Sequence, residues 1–243
     1  MKSALKFLLT VSFGLSLNVW SSTSAAAKDA SDSTKGTIVV KLDPNARGIK
    51  YAKKLAFGSI LGDSLVFYKF EGDESEALSG TAKGKGSKKK MPIYKTEDGY
   101  LSIDVKPGRY FLASVIHQTH WGSCLNSETI LFDVKPNIAT HIGTIDLSGT
   151  ISALKSDIRI SGDIKVKETD GIKHYYTDTN RPPKITLPNS MDLQEATESL
   201  KKKNLDFNST VVSGSNRPFS FKKRVRKKGI INTGSTSVRK CGK

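Results

Sequence analysis

The sequence predicts a mainly β protein, an antiparallel β-sandwich carrying one short C-terminal helix and a disordered basic tail. Three observations predict it. Six runs rich in β-branched and aromatic residues fall between Thr37 and Leu147, separated by turn residues. Two of the turns echo each other, Asp104-Val105-Lys106-Pro107-Gly108 and Asp133-Val134-Lys135-Pro136-Asn137, each between two strand-like runs. No amphipathic helix of useful length interrupts them, so the strands must cover one another.

The 243-residue chain opens with Lys2 and Lys6, an apolar stretch from Phe7 to Trp20, and the small-residue run Ser24-Ala25-Ala26-Ala27. That three-part pattern is a secretory signal peptide over residues 1–27. The apolar part falls short of the roughly 20 residues a spanning helix needs, so no transmembrane segment is expected in the mature chain. Kept uncleaved, the segment would act as an anchor instead. Residues 28–35 are small and polar, a flexible leader.

The sandwich is expected over residues 36–147. Thr37–Leu42 is a strand that stops at the turn-forming Asp43-Pro44-Asn45. Ser64–Phe70 is apolar enough to sit centrally in a sheet. The long connection from Glu71 to about Met91 is acidic and then a glycine–lysine run, expected to be an exposed loop. Tyr100–Val105 alternates apolar and polar residues, Arg109–Ile116 and Thr129–Val134 follow, and Thr140–Leu147 closes the set. In each echoed turn proline fixes φ, and the next residue, Gly108 or Asn137, supplies a positive φ, so both should reverse the chain between strands.

Residues 148–208 are expected to extend the sheet, with short alternating segments at 157–161 and 163–167, and to add one helix over 191–203. Asn189 and Ser190 can cap that helix, Asp192 and Glu195 lie in its first turn, and Lys201 to Lys203 in its last, all favourable to the helix dipole. From residue 209 to 243 the chain is serine, glycine, asparagine and basic residues, a flexible tail.

The strand leading into Val105-Lys106-Pro107-Gly108-Arg109-Tyr110, the long insertion before it and the closing strand Ile142-Gly143-Thr144-Ile145 resemble the prealbumin-like β-sandwich domains of bacterial envelope proteins. Those domains are related in form to carboxypeptidase regulatory-like domains, and an Ig-like arrangement has the same strand spacing. The resemblance covers about residues 36–147. It implies an accessory binding or structural domain without catalytic residues of its own.

Charge narrows the function classes further. The formal net charge is +16, with a mean hydropathy of -0.35. Arg217 to Lys243 holds ten basic residues and no acidic one, and Lys83, Lys85, Lys88, Lys89 and Lys90 add five in a short stretch. The rest of the chain is close to neutral. The expected polyanion-binding residues are therefore Lys88, Lys89 and Lys90 with Lys222, Lys223, Arg224, Arg226, Lys227 and Lys228, beside the aromatic Phe219 and Phe221. Closely spaced cations neutralise phosphates or lie on anionic headgroups. In an exported protein an anionic envelope polymer or a membrane surface is the accessible partner, and nucleic acid the less available one. An open sheet edge could also take a partner protein's strand.

Candidate chemistry is sparse. His117, His120, Cys124 and His141 are the one set whose side chains suit zinc or copper(I), though the spacing matches no known metal motif. Cys124 and Cys241 are the only cysteines, and export would let them form one disulfide. There is no Gly-x-Ser-x-Gly, no His-Glu-x-x-His and no phosphate-cradling loop, so neither an enzyme nor a cofactor is expected. The leading expectation is an exported, non-catalytic binding or structural protein of the cell envelope, periplasmic or extracellular. The alternatives are a metal-binding protein or metalloenzyme built on the histidine and cysteine set, and a secreted nucleic-acid binder acting through the tail.

Overall fold

The computed structural model describes residues 35–55, 60–70, 88–125, 129–160, 165–169, 172–178, 181–204, 207 and 209–219. The predicted signal peptide, almost all of the leader, residues 71–87 and the tail from residue 220 onward lie outside the described residues. The strands in chain order begin with β1 (Gly36–Leu42), β2 (Lys53–Lys54), β3 (Ile60–Leu61), β4 (Ser64–Phe70) and β5 (Lys88–Pro92). Next come β6 (Tyr100–Val105), β7 (Gly108–His117), β8 (Trp121–Cys124), β9 (Thr129–Val134) and β10 (Ile138–Asp146). Helix α1 (Ser148–Ile160) precedes β11 (Lys165–Thr169), β12 (Ile172–Asp178) and β13 (Lys184–Thr186), and helix α2 (Ser190–Lys203) precedes β14 (Thr210–Ser213) and β15 (Arg217–Phe219).

Two sheets share these strands, and β2 and β3 pair separately. The first sheet runs β13-β10-β1-β6, with β14 on β10. The second runs β11-β12-β8-β7-β4-β5, and β7 is long enough to pair with β9 beyond β8, with β15 on β9. Side chains of both sheets meet in one core: Ile38, Val40 and Ile142 from the first face Leu65, Phe67, Leu112 and Phe132 from the second. At its centre the Phe67 and Phe132 rings meet edge to face at 6.0 Å, and Tyr110 stacks beside Phe132. The protein is mainly β, as predicted. It is not wholly antiparallel, because β1 with β10, β10 with β14 and β8 with β12 pair in parallel. Hydrophobic alternation reports which face a side chain occupies; it carries nothing about the direction of the neighbouring strand.

The echoed turns do reverse the chain, but between sheets. Lys106-Pro107 carries it from β6 in the first sheet to β7 in the second, and Lys135-Pro136-Asn137 returns it from β9 to β10. Asn137 takes the expected positive φ, 54°, and Gly108 takes 145°. Because Gly108 pairs with Val134, the two corners lie side by side at one end of the sandwich. Gly36 pairs with Val105 at the same end, where an added Cβ would lie 2.4 Å from the Lys135 carbonyl oxygen. The Tyr110 hydroxyl donates to the Lys106 carbonyl at 2.6 Å and ties the first corner to its following strand.

Three segments differ from expectation. Residues 157–160 end a helix rather than starting a strand, since Leu147 and Ile151 enter the core while Ser148 N–H donates to Asp146 Oδ1 at 2.8 Å and starts the turn. Ile158 and Ile160, which carry the expected alternation, fall in the last turns of α1. Lys88 to Lys90 belong to edge strand β5, paired with Phe67 and its neighbours, because Met91 and Ile93 need the core. Residues 210–213 and 217–219 are paired strands, so the ordered chain extends past residue 209.

Helix α2 begins as predicted. Asn189 Oδ1 accepts from Asp192 N–H and Asp192 Oδ2 accepts from Asn189 N–H, both at 3.0 Å, a reciprocal cap. Replacing Asn189 with Ala should lower stability by about 1 kcal/mol. Thermal unfolding read together with amide exchange in α2 checks both the size and the location.

Candidate functional site

The most constrained region is the hairpin between β7 and β8. His117 pairs with Trp121, leaving Gln118, Thr119 and His120 as the turn. Gln118 and Thr119 have φ of 49° and 68°, a left-handed backbone that a β-branched threonine rarely adopts. It persists because the segment before β4 holds it. Gln118 N–H donates to Asp63 Oδ1 at 2.9 Å, Thr119 N–H to the Gly62 carbonyl at 3.0 Å, and Gly62 N–H to Thr119 Oγ1 at 3.1 Å. Asp63 is fully buried and takes two further contacts, His117 Nδ1 at 2.9 Å and Lys50 N–H at 2.8 Å on its other oxygen. A carboxylate only accepts, so His117 carries its proton on Nδ1 and Nε2 keeps a lone pair when the ring is neutral. This is how a carboxylate orients a histidine base, but the pair serves equally as a buried clamp between two chain segments. Nothing in the sequence links Asp63 with His117. The local signal was only an acid placed directly before an apolar strand.

The predicted metal set is not brought together. His117 is next to Trp121, whereas Cys124, three residues further along β8, projects from the opposite face and packs with Val66 and Ile116. His120 lies in the turn, where its carbonyl accepts Tyr175 N–H. His141 belongs to β10 in the other sheet, fully buried, with Nδ1 accepting Gly143 N–H at 3.0 Å. Among the described residues no group of three or more His, Cys, Asp or Glu side chains could hold a metal ion. The four residues are close in sequence or in strand type, but period-two alternation and the sheet change at Asn137 separate them in space. Cys124 is fully buried, no free cysteine occurs among the described residues, and Cys241 lies outside them.

A second polar cluster lies under α2. The helix covers the outer face of the first sheet, where Ala196 and Leu200 pack on Val39, Tyr100 and Ala139. Lys41 on β1 reaches Glu195 at 2.7 Å and Asp192 at 3.4 Å, and the Tyr100 hydroxyl meets Glu195 at 3.2 Å and the Asp192 carbonyl at 3.1 Å. The hydrogen bond to Glu195 holds the Lys41 ammonium above its ordinary range. Burial pushes the Tyr100 phenol up to about 12, and burial pulls His141 down to about 4. The carboxyls of Asp192 and Glu195 are held below their usual range, Asp192 by Asn189 N–H and Glu195 by Lys41. These contacts dock the helix on the first sheet. His141 Nε2, buried beside the Tyr100 ring edge, has no hydrogen-bond partner.

The basic residues are arranged by the second sheet. Lys88 and Lys90 are exposed on edge strand β5, while Lys89 is half-buried opposite Phe67. Register places Lys88, Tyr68, Phe111, Leu131 and Arg217 in one rank across β5, β4, β7, β9 and β15. Four strand spacings separate the ends, about 19 Å. At the far edge Asp133 takes Arg109 at 3.3 Å and Arg217 at 3.9 Å. Lys222, Lys223, Arg224, Arg226, Lys227 and Lys228 lie outside the described residues. Among the described residues no helix is long and apolar enough to cross a membrane. Comparison of the chain with known protein families, curated proteins and solved structures finds no match.

Proposed function

We propose that the protein is an exported, non-catalytic sandwich that binds an anionic polymer or lipid surface of the cell envelope through cations carried by its second sheet. One observation supports this most: Lys88 and Lys90 stand exposed on one edge strand of that sheet, and β15 at the opposite edge is followed in sequence by nine further basic residues. A flat anionic surface that meets β5 and β15 together would span the width of the sheet.

Binding of the full chain to vesicles with and without anionic lipid, and to an acidic polysaccharide, tests the proposal. Each lysine near such a surface contributes about 1 kcal/mol, so Lys88→Gln with Lys90→Gln should weaken binding by about 2 kcal/mol, roughly thirtyfold. A stop after Phe219 keeps β15 intact and should weaken it further. Both effects should shrink as salt rises past about 0.1 M, where the screening length is about 10 Å. Association that ignores salt and both changes would overturn the proposal.

A further inference from the structure

Tyr51, Leu61 and Tyr94 keep 44%, 43% and 39% of their surface in water, unusual for large apolar side chains. They belong to three chain segments that hydrogen bonds draw into one knot beside the β7–β8 hairpin. Asp63 N–H donates to the Lys50 carbonyl at 2.7 Å, Ala52 N–H to the Ile93 carbonyl at 2.7 Å, and Ile93 N–H to the Asp63 carbonyl at 2.9 Å. Ala52 and Ile93 are buried, while their chain neighbours Tyr51 and Tyr94 face water. Strands β2 and β3 extend the knot: Leu61 pairs with Lys53, and residues directly opposite on paired strands share a face.

The apolar side chains are interleaved with cations. Lys50, Lys53, Lys54 and Lys95 are all exposed. Across residues 48–55, 60–63 and 92–95 the one acidic residue is Asp63, which is fully buried. Strand β5 runs directly into the knot, so its exposed Lys90 lies four residues before Tyr94, about 13 Å along the chain.

We propose that this knot is a membrane-contact site, where Tyr51, Leu61 and Tyr94 enter the headgroup region of an anionic bilayer and the four lysines meet its phosphates. The inference rests on the proposed function and narrows it, choosing lipid over polymer. A hydrated acidic polymer offers the lysines charge but gives the exposed side chains no apolar phase. A bilayer interface supplies both, and its binding strength grows with buried apolar area together with attraction to anionic lipid. Tyrosine suits that depth, with its ring among the upper acyl chains and its hydroxyl among headgroups. Lysine does too, since its stem lies along apolar surface while the ammonium stays at the phosphates. Three apolar side chains supply only a fraction of the roughly 800 Å² that each partner of a stable protein pair buries, which favours a bilayer over a protein.

The test uses vesicles of phosphatidylcholine with phosphatidylglycerol, made with brominated acyl chains that quench tryptophan on contact. In Leu61→Trp the added emission, read against the parent, should shift to the blue and be quenched. Thr210→Trp is the control. Thr210 is exposed and pairs with Ile138 beside the Asn137 corner, and the ten residues of β7 set the two ends of the sandwich about 30 Å apart. Its emission should stay unchanged. Tyr51→Ser with Tyr94→Ser should weaken vesicle binding about tenfold or more and leave binding to an acidic polysaccharide within about twofold. If that double variant fails to fold, the quenching of Leu61→Trp decides alone. Unquenched Leu61→Trp on bound vesicles, or an equal loss of vesicle and polysaccharide binding in the double variant, would overturn the insertion. A dimer of the parent that the double variant dissolves would overturn it too, by assigning the patch to a second copy. In each of those cases vesicle binding that still weakens with Lys88→Gln and Lys90→Gln leaves the proposed function standing. A parent that binds neither vesicles nor polysaccharide removes both.

Discussion

Asp63→Ala is expected to cost about 3–5 kcal/mol of folding stability, a large share of what a domain of this size possesses. The carboxylate accepts from three donors, His117 Nδ1–H, Gln118 N–H and Lys50 N–H, and has no exposure to water. Removing it leaves those donors buried without partners, and each unsatisfied group costs about 1–3 kcal/mol. It also withdraws the contact that keeps Gln118 in a left-handed backbone, so the hairpin should relax. Two controls separate these effects. Asp63→Asn keeps one acceptor oxygen but presents an amide to a backbone donor, and should fall between wild type and Ala. His117→Ala removes a single donor while both backbone contacts remain, and should be the mildest of the three. Urea unfolding of the three variants checks the order. An Asp63→Ala protein within 1 kcal/mol of wild type would mean that water reaches this site and replaces the carboxylate.

The strands from β1 to β10 were legible where local chemistry and burial agree. Thr37–Leu42, Ser64–Phe70 and Tyr100–Val105 each announce themselves by residue type, and the proline turns mark where chain direction changes. What the turns could not announce was that each crosses between sheets, because a corner and a hairpin use the same φ angles. Helix α1 was missed for a related reason. Its isoleucines have high strand propensity, and only the end of a core that Leu147 and Ile151 help to fill selects the helix. The lysines of β5 have the composition of a loop, while two residues, Met91 and Ile93, decide its pairing. The candidate site shows the opposite balance. Four potential ligands attracted attention by type, yet Asp63, silent in the sequence, organises the region. Contacts between residues 54 positions apart have no local signature.

Acidification from pH 7 to pH 4 is expected to loosen α2 from the first sheet, with His141 as the main cause. Burial lowers its pKa to about 4 against an ordinary 6.5, so between those values the unfolded chain binds a proton that the folded chain refuses. The folded state is therefore favoured fully above pH 6.5, and the advantage drains away as pH falls toward 4. A difference of this size corresponds to about 3 kcal/mol. The surroundings decide where the proton would act. Asp192 on α2 attracts the imidazolium and Lys41 on β1 repels it, while the Tyr100 ring lies against it at 5.6 Å between centroids. The carboxyls of Asp192 and Glu195, held low by their partners, contribute in the same direction, since protonating them at still lower pH removes the hold on Lys41. His141→Phe removes the titrating group and preserves an aromatic contact with Tyr100, so its stability should be nearly flat from pH 7 to 4.5 where the parent declines. Gly143 loses its acceptor in that variant, which lowers stability at every pH and leaves the slope as the diagnostic quantity. Denaturant unfolding at several pH values, with amide exchange in α2 followed in parallel, reads both. An unchanged slope in His141→Phe would move the acid sensitivity to the carboxylates that hold Lys41.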